Sequence, residues 1–176
     1  MANRAALREL QTRLATRLQA ARTEGVLVSW LAVRAGGTNY LFPLVQSGEI
    51  FPLGHLQRVP YCTPWFPGVL NLRGGLFGVV DLAAFIAGGK APMRSEHALT
   101  EASVVTLHAA LEVNCALMVD SLAGLRNTDA FNQASGPEIG APSYFGNRYT
   151  EPSGAVWQEI NLQTLSQLPE FLNISA

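Results

Sequence analysis

Two short apolar runs, Val69-Leu70-Asn71-Leu72-Arg73 and Leu76-Phe77-Gly78-Val79-Val80-Asp81-Leu82, meet across the pair Gly74-Gly75. Glycine tolerates the positive φ of tight turns, so a Gly-Gly pair between apolar runs predicts a β-hairpin. Short strands recur along the chain. Residues 26–33 form an apolar, partly β-branched run broken by Gly36-Gly37. Residues 40–45 read as a second strand that residues 49–51 continue, and Pro43 within it predicts an edge strand or a bulge. Residues 104–108 and 113–119 read as strands of a second half, and residues 144–146 and 156–160 as closing segments. The fold class is therefore mainly β.

Helical spacing is confined to a few places. Leu7, Leu10, Leu14 and Leu18 recur at intervals of three and four within residues 5–21, one stripe of an amphipathic helix that Gly25 would end. This helix could pack on its own domain, dock on a partner or lie on a membrane surface. The last reading lacks a Trp or Phe in the stripe. Residues 81–87 form a helical turn stopped by Gly88-Gly89, and residues 161–168 a short C-terminal helix. Residues 88–101 read as a polar loop, a lobe boundary or a mobile segment, and residues 126–143 as a long loop. The expected organisation is an N-terminal helix over 1–24, a folded region over 25–170 and a tail over 171–176. Residues 78–82 echo 117–122 in a strand-ending Val-Asp, which is compatible with two similar small β lobes, each closing a barrel.

Composition removes several function classes. A chain of 176 residues can bury roughly 70% of its unfolded surface, so it needs no metal or disulfide to hold its fold. The net charge of -1 gives no reason to expect nucleic acid. It divides into a basic arm, with five Arg against two Glu in residues 1–24, and an acidic remainder. Cys62 and Cys115 read as free thiols of a reducing, cytoplasmic compartment. No apolar run reaches the roughly 18 residues of a membrane span, and no secretory signal is visible.

Catalytic constellations are equally thin. His55, His97 and His108 show no paired spacing, and neither cysteine sits in a C-x-x-C, so no metal site is expected. Arg73-Gly74-Gly75 lacks the surroundings of a phosphate loop, and Lys90 is the only lysine. Asp81 and Asp120 end apolar strands, where capping the following turn is the ordinary role. A small β-barrel ligand-binding protein or hydrolase using them as a carboxylate pair is the enzymatic alternative. Carboxylates facing one cleft within roughly 10 Å would favour it. Arg73 itself could pair with a nearby carboxylate, or present its guanidinium beside glycines that let a partner's backbone approach. The aromatic, Pro-rich stretch with Pro60, Tyr61, Pro64, Trp65, Phe66 and Pro67 could be core packing or a contact patch.

The segment from Val69 through Asn71-Leu72-Arg73-Gly74 to Val79-Val80-Asp81-Leu82 resembles the central signature of the CheW-like chemotaxis coupling proteins. Residues 40–50, Val59-Pro60, residues 65–68, 115–120, 144–146 and 157–162 are similar to other parts of that family, so the resemblance spans roughly 26–170. Residues 47–52 and 78–81, with the N-terminal extension, most resemble adaptors of chemosensory systems that govern twitching by type IV pili. The resemblance implies two five-stranded SH3-like β-barrel lobes around a continuous core, and a non-enzymatic adaptor with no cofactor. It implies two partners, the regulatory domain of a CheA-like histidine kinase and the signalling tip of a methyl-accepting chemoreceptor. It also implies recruitment to membrane-associated receptor arrays without membrane insertion. Carried over by motif, Asn71, Arg73, Gly74 and Gly75 are the first interaction residues, and Val45, Glu49 and Ile50 the second. The sequence departs from the family pattern in Gln46-Ser47-Gly48 before Glu49-Ile50. A flagellar-type adaptor and an array-filling scaffold remain alternatives.

Overall fold

The structure, a computed structural model, describes residues 2–24 and 30–176, with the side chains of residues 4–19 and 30–176. The helix end expected at Gly25, the boundary at 24/25 and the first half of the run over 26–33 lie outside the described residues. A helix α1 (Ala2–Glu24) leads into the hairpin β1 (Trp30–Ala35) and β2 (Thr38–Pro43). A 3₁₀ turn (Leu44–Gln46) passes the chain to β3 (Ser47–Pro52), β4 (Gly68–Leu72), β5 (Gly75–Asp81), the one-turn helix α2 (Leu82–Ile86), α3 (Glu96–Glu101), β6 (Ser103–Leu107) and β7 (Cys115–Val119). The chain then returns through β8 (Ser121–Arg126), β9 (Gln133–Ser135), β10 (Phe145–Thr150) and β11 (Val156–Ile160) to α4 (Leu162–Gln167) and α5 (Pro169–Leu172).

The strands form a six-stranded sheet, β8-β1-β2-β11-β10-β9, and a five-stranded sheet, β3-β6-β7-β5-β4. The architecture is thus mainly β with two lobes, as expected, but the lobes are nested rather than sequential. Both ends of the chain build the first sheet and its middle builds the second. Strands β6 and β7 accordingly belong with β4 and β5, not to a second half. The Val-Asp echo marks two neighbouring parallel strands of one sheet, β5 and β7, with Asp81 paired to Met118. The first sheet has six strands where five were expected, because β8 and β9 arise from segments read as loop or left unassigned. The five-stranded sheet is closed further by Gln57 and Val69, which exchange backbone hydrogen bonds of 3.0 and 2.9 Å.

Strands buried on both faces read as unbroken apolar runs. In β1, Leu31 and Val33 enter a core cluster shared with Val80, Val105 and Leu117 of the other sheet, while Trp30 and Ala32 pack with Leu41 and Trp157. Strand β2 is internal, and Pro43 is tolerated because it is the last residue, opposite Trp30. Phe171 is buried in the core and stacks on Trp65 with ring centroids 6.5 Å apart, and Thr63 N–H donates to Ile174 O at 2.9 Å. Residues 171–176 are therefore part of the folded unit, not a tail. Leu14 and Leu18 of α1 are buried in the shared core, each worth about 1.5–3 kcal/mol. Gln11 Nε2 donates to Ser103 Oγ at 2.7 Å in a buried hydrogen bond.

The segment over 88–101 is neither a lobe boundary nor wholly loop, since it joins strands of one sheet and ends in α3, capped by Ser95. Its Arg94 side chain is only 9% exposed and holds both strand-end carboxylates. Arg94 Nη1 donates to Asp81 Oδ2 at 2.5 Å, Nη2 to Asp81 Oδ1 at 3.0 Å and Nε to Asp120 Oδ1 at 2.6 Å. Burial, the largest single influence, disfavours the charged guanidinium, but bonds and charges from the two carboxylates outweigh it and raise its pKa. Asp81 also caps α2 through Ala84 N–H, as expected. No helix follows Asp120; its Oδ2 accepts from Gly36 N–H of the β1–β2 turn at 2.7 Å, so the cluster joins the lobes. Replacing Arg94 by Met leaves Asp81 buried without its cation. The expected loss is about 3–5 kcal/mol of unfolding free energy, read from urea denaturation, whereas an unchanged midpoint would deny the cluster any part in stability.

Candidate functional site

The β4–β5 turn is displaced by one residue from its sequence reading. Leu72 pairs with Gly75, so Gly75 begins β5 and the two central turn residues are Arg73 and Gly74. Both have positive φ, 51° and 81°, the type I′ geometry whose twist suits a two-residue hairpin. Asn71 Oδ1 accepts from Gly74 N–H at 3.0 Å and ties the turn to its strand. Arg73, a non-glycine residue in the left-handed region, is therefore held at the tip of a fixed hairpin, its side chain 75% exposed.

The departure at Gln46-Ser47-Gly48 has a structural counterpart. Ser47 pairs with Leu107 and Ile50 with Val105, so β3 holds one residue more than β6 over this interval, a β-bulge. Gly48 is required there, because a Cβ would fall 2.0 Å from Thr106 Oγ1 and 2.8 Å from two backbone carbonyl oxygens. Glu49 N–H donates to Thr106 Oγ1 at 2.7 Å, and the bulge leaves the Glu49 carboxylate pointing outward. Its Oε2 lies 3.1 Å from Arg73 Nη2, while the Arg73 guanidinium stands 5.8 Å from the Phe51 ring. Arg73 thus pairs with a carboxylate, one of its two sequence readings, and its side chain remains exposed.

Of the seven expected interaction residues, Asn71, Arg73, Gly74, Gly75 and Glu49 converge on this hairpin and bulge. Val45, 82% exposed, sits on the 3₁₀ turn before β3. Ile50 is buried in the shared core and supports the bulge from beneath. Sequence reading missed Leu76, whose side chain is exposed on β5 just past the turn. It also missed Gly48 and Thr106, which shape the bulge. Glu49 separates two grooves. One, about 760 Å³, runs between α1 and β3, with Arg73 in its wall. The other, about 300 Å³, lies between Glu49, Phe77 and the chain around His108. In the aromatic stretch Trp65 and Phe66 are buried in the core, whereas Tyr61 is exposed at φ 60°.

The carboxylates of the enzymatic alternative do meet, on Arg94. Asp81 is buried, and its oxygens are held by Arg94 and Ala84 N–H; those of Asp120 are held by Arg94 and Gly36 N–H. All four oxygens of the pair thus accept hydrogen bonds, and the two carboxylates share one guanidinium instead of facing an open cleft. Among the described residues no three His, Cys, Asp or Glu gather as a metal-binding group. No helix among them is long and apolar enough to cross a membrane.

Residues 29–168 match the family described as CheW-like domain. The chain is 27% identical over 167 residues to Protein PilI of Pseudomonas aeruginosa, covering 93% of this chain and 89% of that protein, a share that necessarily takes in part of α1. Among solved structures it resembles the scaffolding protein TtCheW from Thermoanaerobacter tengcongensis with a TM-score of 0.63 and 14% identity, over 82% of this chain and 96% of that one.

Two outcomes follow from the geometry. Gly48→Ala is expected to cost on the order of 1–3 kcal/mol through overpacking, against roughly 1 kcal/mol for Gly74→Ala, where the added methyl meets only open space; urea denaturation of the two variants decides it. Burial pushes the Cys115 thiol up to about 12, while Cys62 is partly exposed, so a thiol reagent at neutral pH should label the native protein once, at Cys62, and twice after unfolding. Two rapid native labels would contradict the burial.

Proposed function

We propose that this chain, which belongs to the CheW-like domain family, is a non-enzymatic adaptor that couples chemoreceptors to a CheA-like histidine kinase in the pathway controlling twitching by type IV pili. The observation that carries the reading is the Arg73–Glu49 pair, exposed and rigidly presented by a type I′ turn on one side and a bulge on the other. Asn71, Gly74, Gly75 and Ile50 set its geometry, and Val45 extends the same edge toward the chain crossover. A receptor tip docks on this edge, and the kinase regulatory domain binds elsewhere on the lobes. The likeness to Protein PilI, spanning part of α1 as well as the CheW-like region, favours the pilus pathway over a flagellar one.

Such an adaptor works without chemistry. If its contacts differ between the receptor's two signalling states, that difference is a coupling free energy that biases the kinase. Holding both partners also raises the effective concentration of one near the other. Array recruitment places the protein beside the membrane without entering it.

Calorimetric titration with a receptor signalling-tip fragment and, separately, with the kinase regulatory domain tests the reading. Arg73→Ala and Arg73→Gly are both informative, since glycine keeps the positive-φ turn while removing the guanidinium. Each should weaken receptor-tip binding about tenfold or more, about 1.4 kcal/mol, with the thermal midpoint retained. Binding to the kinase domain alone would select an array-filling scaffold, and binding to neither would remove the adaptor reading.

A further inference from the structure

The helix α1 precedes the residues matched by the CheW-like family, 29–168, yet it stands beside the Arg73–Glu49 pair. Gln11, Leu14 and Leu18 fasten it to the body. Arg8, Thr12, Ala15 and Gln19, spaced as one stripe of a helix, face the 760 Å³ groove whose opposite wall carries Gly48, Glu49 and Arg73. From Arg8 to Gln19 the stripe runs about 16 Å at 1.5 Å per residue. The middle of the stripe is small, Thr12 and Ala15 with Thr16 alongside, so a second rod can approach closely. The helix lines the groove without covering it, since the Arg73 and Glu49 side chains keep 75% and 46% of their exposure.

Charge selects what would fit. Glu49 in the groove is matched by Arg73, whereas Arg8 has no ion-pair partner among the described residues. The groove is thus elongated and carries one surplus positive charge. We infer that α1 forms a wall of the receptor-docking groove and that the segment seated there is a helix bearing a carboxylate opposite Arg8. This inference rests on the receptor-docking reading above and adds to it the contribution of a helix outside the family match. A helix in a groove of this kind gains affinity from apolar packing and specificity from its rim charges.

The test uses the full chain titrated with the receptor signalling-tip fragment and with the kinase regulatory domain. Arg8→Glu should weaken tip binding about tenfold and flatten its salt dependence. Arg17→Glu, exposed and outside the groove lining, changes net charge equally and should bind as the unaltered chain does. Ala15→Trp fills the groove without altering charge and should weaken tip binding comparably. Kinase-domain binding should stay within twofold in all three, with α-helix content checked by circular dichroism. If Arg8→Glu binds the tip normally while Arg73→Ala weakens it, the inference about α1 is overturned and the docking reading survives. Equal losses from Arg17→Glu would reduce the effect to net charge, and a loss confined to the kinase domain would give the groove to that partner; both overturn the inference. Failure of the unaltered chain to bind the tip overturns the docking reading and this one together.

Discussion

The buried guanidinium of Arg94 holds the two strand-end carboxylates of one lobe, and Asp120 in turn binds the β1–β2 hairpin of the other. Its necessity follows from the topology. Strands β5 and β7 are parallel neighbours, so their C-terminal ends emerge side by side, and each ends in an aspartate. Two carboxylates brought so near repel unless a cation lies between them. Arg94 supplies that cation with the planar, multi-donor geometry that a lysine lacks. Asp81 then starts α2 and Asp120 receives the β1–β2 turn, so one cluster ties a helix start and two strand ends of one lobe to a turn of the other. The presented edge at β3 and the β4–β5 hairpin takes its orientation from that fixed frame.

Much of this was legible in the sequence because the strands are short, apolar and punctuated by glycine. The β4–β5 hairpin, the turn of helix after Asp81, the α1 helix and the short helix after Asn161 each carry a local signal that tertiary structure had no reason to override, although of the leucine stripe only Leu14 and Leu18 enter the core and Leu10 is exposed. What was not legible is which strand neighbours which. The echo of Val80-Asp81 in Val119-Asp120 suggested two lobes, but the same pattern arises from adjacent parallel strands whose ends face one cluster. Arg94 lay in a polar stretch with nothing local to mark it as buried, because its partners stand 13 and 26 residues away. Of the site, the residue types were readable and the one-residue turn shift was not. Gly75 looks like turn chemistry, yet the register of Leu72 with Gly75 places Arg73 in the left-handed position instead.

The proposed docking edge concentrates local irregularity on a rigid support. A bulge, a left-handed arginine and a 3₁₀ crossover lie within a short stretch of surface, each held by a side-chain hydrogen bond or close packing: Thr106 to Glu49, Asn71 to Gly74, and Ser47 Oγ to Pro43 O at 2.9 Å. Backbone held this way loses little freedom on binding, which favours affinity without a large interface. The crossover is anchored again at its far side, where Gln46 Oε1 accepts from Leu162 N–H at 2.7 Å and so links the edge to the start of α4.

The nested topology also sets an order of assembly during synthesis. Strand β2 needs β11 as its parallel neighbour, with Gln158 opposite Tyr40, and those residues are separated by the whole of the other lobe. The strand pairing of the middle lobe lies within residues 47–119 and can begin to form while the chain is still being made. The outer sheet must wait for the final segment, and until then β1 and β2 expose an unpaired edge together with Leu41 and Phe42. A ribosome that stalls anywhere between β2 and β11 would therefore release a half-built protein with an adhesive strand.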